Sequence, residues 1–310
     1  MTDSPFILAP MAGYTDYVFR DICLSYGAGL TYTEMVSAEG IARNSKNTLT
    51  LMKRGENEKK LAVQIFAPDE KTVLRCIPNL LKAQPDIIDL NCGCPVPKII
   101  KTGCGSALLK TPDVIGRIVH VLKSETNLPV SIKIRAGWDN NSINFLQTSD
   151  FAFNNGADAV TLHCRTKSQL YMPYADHSYL KQLKEAFPEK IIIGSGDIFT
   201  AEDAVRVLNE TNANKIMIAR GAIGNPFIFS RAQALLKGIT TPEPDISEIK
   251  QTVLQHLSGL INSYGEEKGC KEMRKHIPHY FKGIPDSNKI KHKCYNALSY
   301  SEYEEILNSL

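Results

Sequence analysis

A thiol and a carboxamide with clear chemical potential follow a short apolar run. Residues 90–95 read LNCGCP and come soon after the apolar pair at 87–88. Gly93 permits backbone shapes that other residues resist, and Pro95 stiffens the chain that follows. Cys94 is therefore expected at the C-terminal end of a strand, where parallel α/β folds keep their chemistry. This placement makes Cys94 the first candidate for a reacting group.

Five polar side chains are expected near that same edge. Side chains in a strand alternate between faces, so the apolar neighbours of Lys133 leave Lys133 and Arg135 pointing inward. The same parity directs Gln64, Asn91 and His163 inward from other strands. Because an unpaired buried charge is costly, the five groups together predict a ligand pocket. Taken singly, His163 is also consistent with a satisfied core histidine, and Gln64 with a strand-end cap.

Glycine-rich segments late in the chain predict an anion site. Residues 193–197 read IGSGD and residues 219–221 read ARG. Their glycines let backbone N–H groups approach a phosphate, and Arg220 adds a charge-assisted contact, although ordinary tight turns have a similar composition. Earlier in the chain, Met11 lies beside small residues, a setting that suits either packing under a flat ring or a core contact.

The elements that position these groups are short β-type runs alternating with helical patterns. The expected strands are Phe6–Ala9, Leu30–Thr33, Ala62–Phe66, Ile87–Asn91, Val130–Arg135, Ala159–His163, Ile191–Ser195 and Lys215–Ala219. Eight strand–helix units in roughly 235 residues predict an α/β fold of the TIM (β/α)8 barrel type. A doubly wound sheet is the alternative, but it usually needs fewer strands.

The pattern changes after residue 238. A Pro-rich connection at 239–245 separates a barrel at 1–238 from a small all-helical domain at 246–310. The expected helices there include Ile246–Ser263, Cys270–Phe281 and Glu302–Leu307. Between Lys268 and Lys293 eight basic residues stand against two acidic ones, a net charge of +6. With the aromatic residues between them, they indicate RNA contacts, or else a merely solvated basic face.

Composition sets limits on the class of protein. The hydrophobic fraction of 43% and charged fraction of 22% are typical of soluble globular enzymes. The net charge of +3 is too small to indicate a nucleic-acid partner by itself, and no uninterrupted apolar run is long enough for a membrane span. Eight cysteines without paired CxxC sets argue against a metal site, and the acidic start lacks an export signal. We expect a cytoplasmic monomer with free thiols.

The assembled motifs resemble those of the tRNA-dihydrouridine synthases over nearly the whole chain. The matching segments are APMAGYTD at 9–16, VQIF at 63–66, DLNCGCP at 89–95, KIRAGW at 133–138, HCRT at 163–166, GDI at 196–198 and ARG at 219–221. The Asn-x-Gly-Cys-Pro segment with Gly105-Ser106 after it is highly specific to this family. Residues 273–276, MRKH, are most similar to the bacterial B-type subgroup.

The resemblance implies an activity, two cofactors and a partner. The family implies that bound FMN, re-reduced by NADPH, reduces a D-loop uridine of tRNA to 5,6-dihydrouridine. Hydride from FMNH2 would reach C6 of the base, and Cys94 would donate the proton to C5 as the catalytic acid. The carried-over cofactor-binding residues are Pro10, Met11, Ala12, Gln64, Lys133, His163, Ser195, Gly196, Asp197, Ala219 and Arg220. The carried-over substrate-binding residues are Asn91, Arg135, Arg165, Arg274 and Lys275.

Several positions of the chain depart from the family pattern. Ser195 stands where the family usually has Asn, Ala219 where it has Gly, and Cys164 where it has a small Gly. The nearest rival is a dihydroorotate-dehydrogenase-like flavoprotein, which would not need the basic helical region. The other rivals are a flavin-free RNA-binding barrel and an FMN-containing RNA chaperone.

Overall fold

A ring of parallel strands surrounded by helices forms the larger part of the molecule. The computed structural model describes residues 4–285 and 287–309. The strands are β1 (Phe6–Leu8), β2 (Val36–Ser37), β3 (Ala62–Phe66), β4 (Ile87–Cys92), β5 (Val130–Arg135), β6 (Ala159–His163), β7 (Ile191–Ser195) and β8 (Lys215–Ile218). All pair in parallel in the order β1-β8-β7-β6-β5-β4-β3-β2. This arrangement confirms the predicted (β/α)8 barrel.

The second strand differs from its prediction. The regular pairing of β2 begins at Val36, beyond the expected Leu30–Thr33. Residues 30–33 instead join the first and third strands through single bridges, one from Leu8 to Thr31 and one from Tyr32 to Ala62. The Thr33 N–H still donates to the Ala62 carbonyl (3.0 Å), but the next bond is interrupted, because the Thr33 hydroxyl oxygen, not a carbonyl, accepts from the Gln64 N–H (3.1 Å). The segment closes the barrel without being a continuous strand.

Helices cover the outside of the barrel. They are α1 (Tyr17–Ser25), α2 (Ala38–Ala42), α3 (Lys46–Thr50), α4 (Glu70–Leu80), α5 (Pro97–Ile100), α6 (Pro112–Thr126), α7 (Phe145–Asn154), α8 (Ser178–Ala186), α9 (Ala201–Thr211) and α10 (Ile228–Leu236). Short 3-10 turns lie at Leu81–Ala83, Gly105–Lys110 and Arg220–Ala222. Asp69 and Thr200 cap the first turns of α4 and α9 with their side chains, which satisfy N–H groups that a first turn leaves free.

Among the described residues, five further helices follow the Pro-rich connection. They are α11 (Ile246–Tyr264), α12 (Glu266–Met273), α13 (Ile277–Tyr280), α14 (Ser287–Asn296) and α15 (Tyr300–Asn308). The single helix expected at Cys270–Phe281 is therefore wrong: it divides into α12 and α13. Pro278 is the cause, because it lacks a donor and suits only the first turn of a new helix.

Three apolar clusters define how these parts pack. Strand residues such as Ile132 and Ile134 face the barrel helices, whereas Ile7, Ala62 and Met217 fill the barrel interior. The C-terminal helices have their own apolar cluster, which also includes Val18 and Phe227 from the barrel side. The helices therefore pack directly onto α1 and the segment before α10. The domain limits at 238 and 246 stay a prediction. Among the described residues no helix is long and apolar enough to cross a membrane.

Candidate active site

A cavity of about 490 Å³ opens at the carboxyl ends of the strands. Fourteen of the predicted site residues line it: Pro10, Met11, Ala12, Gln64, Asn91, Cys94, Lys133, Arg135, His163, Ser195, Gly196, Asp197, Ala219 and Arg220. Three others, Arg165, Arg274 and Lys275, are not among its lining residues. A second cavity of about 620 Å³ lies at the opposite end of the barrel, around Leu30 and Ile191, and contains none of the predicted groups.

A buried chain of hydrogen bonds connects the barrel interior to the cysteine loop. The Ser131 hydroxyl donates to Asp89 Oδ1 (2.5 Å), and Gln64 Nε2 donates to Asp89 Oδ2 (2.7 Å). Asn91 Nδ2 then donates to Gln64 Oε1 (2.8 Å). Finally, Asn91 Oδ1 accepts the N–H of Cys94 (2.9 Å). Each side chain therefore fixes the orientation of the next, and the chain ends on the backbone of the candidate acid.

Cys94 is held by this chain on one side and by a close backbone approach on the other. Gly105 has φ +61°, and a Cβ there would lie 2.8 Å from the Cys94 carbonyl oxygen. That carbonyl accepts the N–H of Ser106 (3.0 Å). Only glycine fits such a site without strain, which explains the Gly-Ser pair downstream of the cysteine.

The environment of Cys94 keeps its thiol protonated. The side chain is 9% exposed. Burial raises the pKa of the Cys94 thiol, while the N–H of Val96 and the charges of Arg135 and Lys133 oppose that rise. The thiol is therefore uncharged at neutral pH and has a proton to donate.

Lys133 and His163 supply contrasting electrostatics on the next two strands. Burial lowers the pKa of Lys133 to about 8, and Arg135 contributes in the same direction. Burial, with the nearby Lys133 charge, lowers the pKa of His163 well below its ordinary value. His163 is therefore neutral at pH 7, and its buried Nε2 has no hydrogen-bond partner among the described residues. An unpartnered ring nitrogen beside a lysine is suited to a polar, partly anionic ligand.

Two predicted substrate-binding arginines bind loop carbonyls. Arg135 Nε donates to the Gly93 carbonyl (2.9 Å), and its Nη1 donates to the carbonyls of Thr166 (2.8 Å) and Leu170 (3.0 Å). Arg165 Nε donates to the Pro173 carbonyl (2.8 Å). Both side chains are buried, and Arg165 Nη1 has no partner among the described residues. In this structure the two guanidinium groups organise the loops that surround the cavity.

At the end of the cavity where a phosphate is expected, a glycine turn lies beside a carboxylate that two arginines share. Gly196 has φ +127°, and a Cβ there would lie 2.8 Å from that of Ala175. The Asp197 carboxylate accepts from Arg165 Nη2 (2.5 Å) and lies 3.3 Å from Arg220 Nη2. Arg220 is exposed and is thus the more available of the two cations at this end of the cavity.

The C-terminal helices place their predicted residues away from the cavity. Lys275 pairs with Glu272 (2.7 Å), and Arg274 Nη2 lies 3.5 Å from the Ala297 carbonyl. The substrate contacts of Arg274 and Lys275 stay a prediction. By contrast, His279 reaches the cavity from α13, and its ring lies 6.2 Å from that of Tyr14, another lining residue.

Sequence reasoning missed several groups of this site. Asp89, which orients Gln64, has the same strand parity as Asn91, so the signal was present in the sequence. Tyr14, Met35 and Tyr171 line the cavity from loops, where no periodicity indicates a direction. His279 lies far along the chain, and only its place among basic residues marked it.

Nearly the whole chain matches one protein family. The family model for dihydrouridine synthase (Dus) covers residues 7–308. The chain belongs to the dihydrouridine synthase family. This confirms the resemblance on which the site residues were carried over. Within the described residues, no group of three or more His, Cys, Asp or Glu side chains is placed to hold a metal ion.

Curated relatives agree with this membership. The tRNA-dihydrouridine synthase B of Pasteurella multocida is 38% identical over 94% of this chain and 88% of its own length. That of Vibrio cholerae is 36% identical over 96% and 92%. A probable tRNA-dihydrouridine synthase of Treponema pallidum is 36% identical over 96% and 91%. A solved mandelate oxidase variant with an FMN adduct is 17% identical over 76% of this chain and 74% of its own, with a TM-score of 0.47, a likeness too remote to bear on function.

Proposed function

We propose that this protein reduces a uridine in the D-loop of tRNA to 5,6-dihydrouridine, with FMN in the cavity and NADPH as the reductant. Family membership supports the reaction class. The observation that carries the proposal is a protonated Cys94 thiol held at the mouth of a cavity that also contains Lys133 and a neutral His163. A cytoplasmic location agrees with a tRNA substrate.

The residues of the cavity fit FMN. The unpartnered Nε2 of His163 and the Lys133 ammonium are ready partners for the polar edge of a flavin. Pro10, Met11, Ala12 and Gln64 would contact the ring. The phosphate end would lie among Ser195, Gly196, Asp197, Ala219 and Arg220, where glycine turns let backbone donors approach an anion. A volume of about 490 Å³ is in the usual range for a cofactor site.

The protein's own groups supply the acid and the positioning. FMN, when bound, supplies the hydride that is added at C6 of the base. Cys94 holds the proton for C5 at a fixed position, because Asn91 orients its backbone and Gly105 supports it from behind. Lys133, charged below about pH 8, stabilises negative charge in the pocket. Asn91 and Arg135 line the same cavity and are candidates to contact the uracil.

The basic helices are suited to hold the tRNA while one base leaves its stack. Lys282, Lys289 and Lys293 are exposed around α14, and Tyr295 beside them is also exposed. Such a surface binds phosphates without sequence preference. The geometry of the tRNA D-loop would therefore select the uridine that enters the cavity.

The direct test is a reconstituted reaction. Purified protein with FMN and NADPH is incubated with tRNA from a strain that lacks dihydrouridine, and the nucleosides are measured by mass spectrometry and mapped to position. We expect dihydrouridine at a D-loop position, dependent on both cofactors. Turnover of dihydroorotate or free uracil without any change in the tRNA would contradict the proposal, as would tRNA binding without product.

A further inference from the structure

The rim of the cavity carries an exposed ridge of large side chains. The mouth ridge consists of Tyr171, Met172 and Tyr174, in the loop that follows β6. Tyr174 is 88% exposed and Met172 is 77% exposed, more than any other large hydrophobic side chain of the described residues. Tyr171 also lines the cavity, so the ridge begins at the site itself.

The backbone beneath the ridge is firmly anchored. Buried Arg135 donates to the Leu170 carbonyl (3.0 Å), and buried Arg165 donates to the Pro173 carbonyl (2.8 Å). The Ala175 N–H donates to Asp197 (2.8 Å). Because these bonds fix the chain on both sides of Met172, the side chains project outward from a supported loop.

Cations alternate with aromatic rings around the ridge. The Arg220 guanidinium carbon lies 4.6 Å from the centroid of the Tyr171 ring and 5.0 Å from that of Phe199. On the neighbouring loop, Trp138 has a lysine ammonium near its ring, 3.6 Å from the centroid for Lys110 and 4.4 Å for Lys167. Protein-binding surfaces are typically depleted of lysine, whereas rings interleaved with cations are typical of surfaces that bind single-stranded nucleic acid.

We propose that the mouth ridge stacks the nucleobases that flank the uridine in the cavity, an inference that rests on the proposed function. Met172 and Tyr174 follow the cavity-lining Tyr171 within three residues, so at most about 10 Å of chain separates them from the mouth of the cavity. A base drawn into the cavity brings its neighbours over this ridge. Stacking of these bases on the ridge offsets part of the free-energy cost of unstacking the tRNA loop. Such stacking does not depend on the base sequence, because every base has a π-face.

The test measures RNA binding separately from turnover. FMN-loaded protein carrying Cys94→Ala is titrated with a tRNA transcript that has fluorescent 2-aminopurine beside the target uridine. Tyr174→Ala should weaken tRNA binding about tenfold and abolish the quenching of 2-aminopurine, as expected for the loss of one stacked base. Tyr174→Phe should retain both properties, and Tyr174→Leu should behave like the alanine variant.

Controls separate stacking from general apolar contact and from misfolding. Leu74→Ala, at a half-exposed apolar site on the outer helix α4, should leave tRNA binding unchanged. Flavin content should be equal in all variants. Unchanged binding in Tyr174→Ala, equal binding in the leucine and phenylalanine variants, or loss only of self-association would overturn the ridge proposal. Quenching in the Cys94→Ala background, together with no dihydrouridine formed by the protein with native Cys94, would instead refute the proposed function and leave the ridge supported.

Discussion

Replacing Asn91 by aspartate reverses one link in the buried chain of hydrogen bonds that holds the Cys94 loop. In the native protein Asn91 donates to Gln64, and Gln64 donates to the Asp89 carboxylate. In Asn91→Asp the new carboxylate has no N–H to donate, so Gln64 must rotate its amide and donate to residue 91. The Gln64 oxygen then faces Asp89, and one of the two carboxyl groups must hold a proton to fill the gap.

The size of the effect follows from the Asp89 carboxyl. Burial raises the pKa of Asp89 to about 6, although Ser131 and Gln64 oppose that rise. Since this pKa is about 6, the native carboxyl is half protonated at pH 6 and loses that remaining half proton by pH 8, which lowers native stability by about 0.4 kcal/mol. The folded variant keeps one proton that its unfolded chain has lost, so its free energy of unfolding falls by about 1.36 kcal/mol for each unit that the pH rises. Its free energy of unfolding should therefore fall by about 2.7 kcal/mol from pH 6 to pH 8, which is about 2.3 kcal/mol more than the native protein loses.

The assay is urea unfolding of both proteins at the two pH values. A matched control is the double variant Asp89→Asn/Asn91→Asp, which reverses the whole chain: residue 89 now donates to Gln64, and residue 91 accepts. This variant should lose the extra pH dependence and recover stability. If Asn91→Asp is equally destabilised at pH 6 and pH 8, or the double variant is no better than the single one, the hydrogen-bond directions assigned here are wrong.

Three further predictions concern the cofactor, the packing of the helices and the tRNA. Because Lys133 is charged only below its pKa of about 8, the affinity of the native protein for FMN should fall above pH 8. The affinity of Lys133→Arg should not change with pH over that range. Identical pH profiles for the two proteins would argue against a role for the lysine. Gly224 has φ +65°, and a Cβ there would collide with the backbone of α13. Gly224→Ala should therefore lower the free energy of unfolding by about 3 kcal/mol, whereas the control Gly238→Ala, where a Cβ meets no neighbour, should lower it by about 1 kcal/mol. Equal losses in the two variants would refute this packing. The double variant Lys289→Glu/Lys293→Glu should weaken tRNA binding about tenfold and should release about two fewer counterions on binding, with FMN binding unchanged. If the dependence of tRNA affinity on salt is unchanged, the basic face of α14 is merely solvated and does not contact tRNA.

Strand parity predicted much of the site because it is a local property. Lys133 and Arg135 face the cavity as expected, since their apolar neighbours must face the helices. The same parity also directs Asp89 inward, where its carboxylate accepts from Gln64. The Asn–Cys turn likewise was predictable, because a glycine and a proline restrict the backbone on either side of the thiol.

The parts that were missed depend on distant chain segments. Thr33 lies where a strand was expected, but its hydroxyl accepts the Gln64 N–H in place of a carbonyl, and regular pairing of β2 begins only at Val36. Arg135 binds carbonyls of loops some 30 to 40 residues away, a contact that the path of those loops determines. His279 enters the cavity only because α13 packs closely on Gly224. No local pattern carries that information.

The central claim is that Cys94 supplies a proton to the base. The most direct test mixes pre-reduced, FMN-loaded protein with unmodified tRNA without oxygen and follows dihydrouridine in a single turnover. Cys94→Ala should slow product formation at least about 100-fold, while tRNA affinity and flavin content stay within about twofold of the native values. Product formed by Cys94→Ala at the native rate would contradict the account.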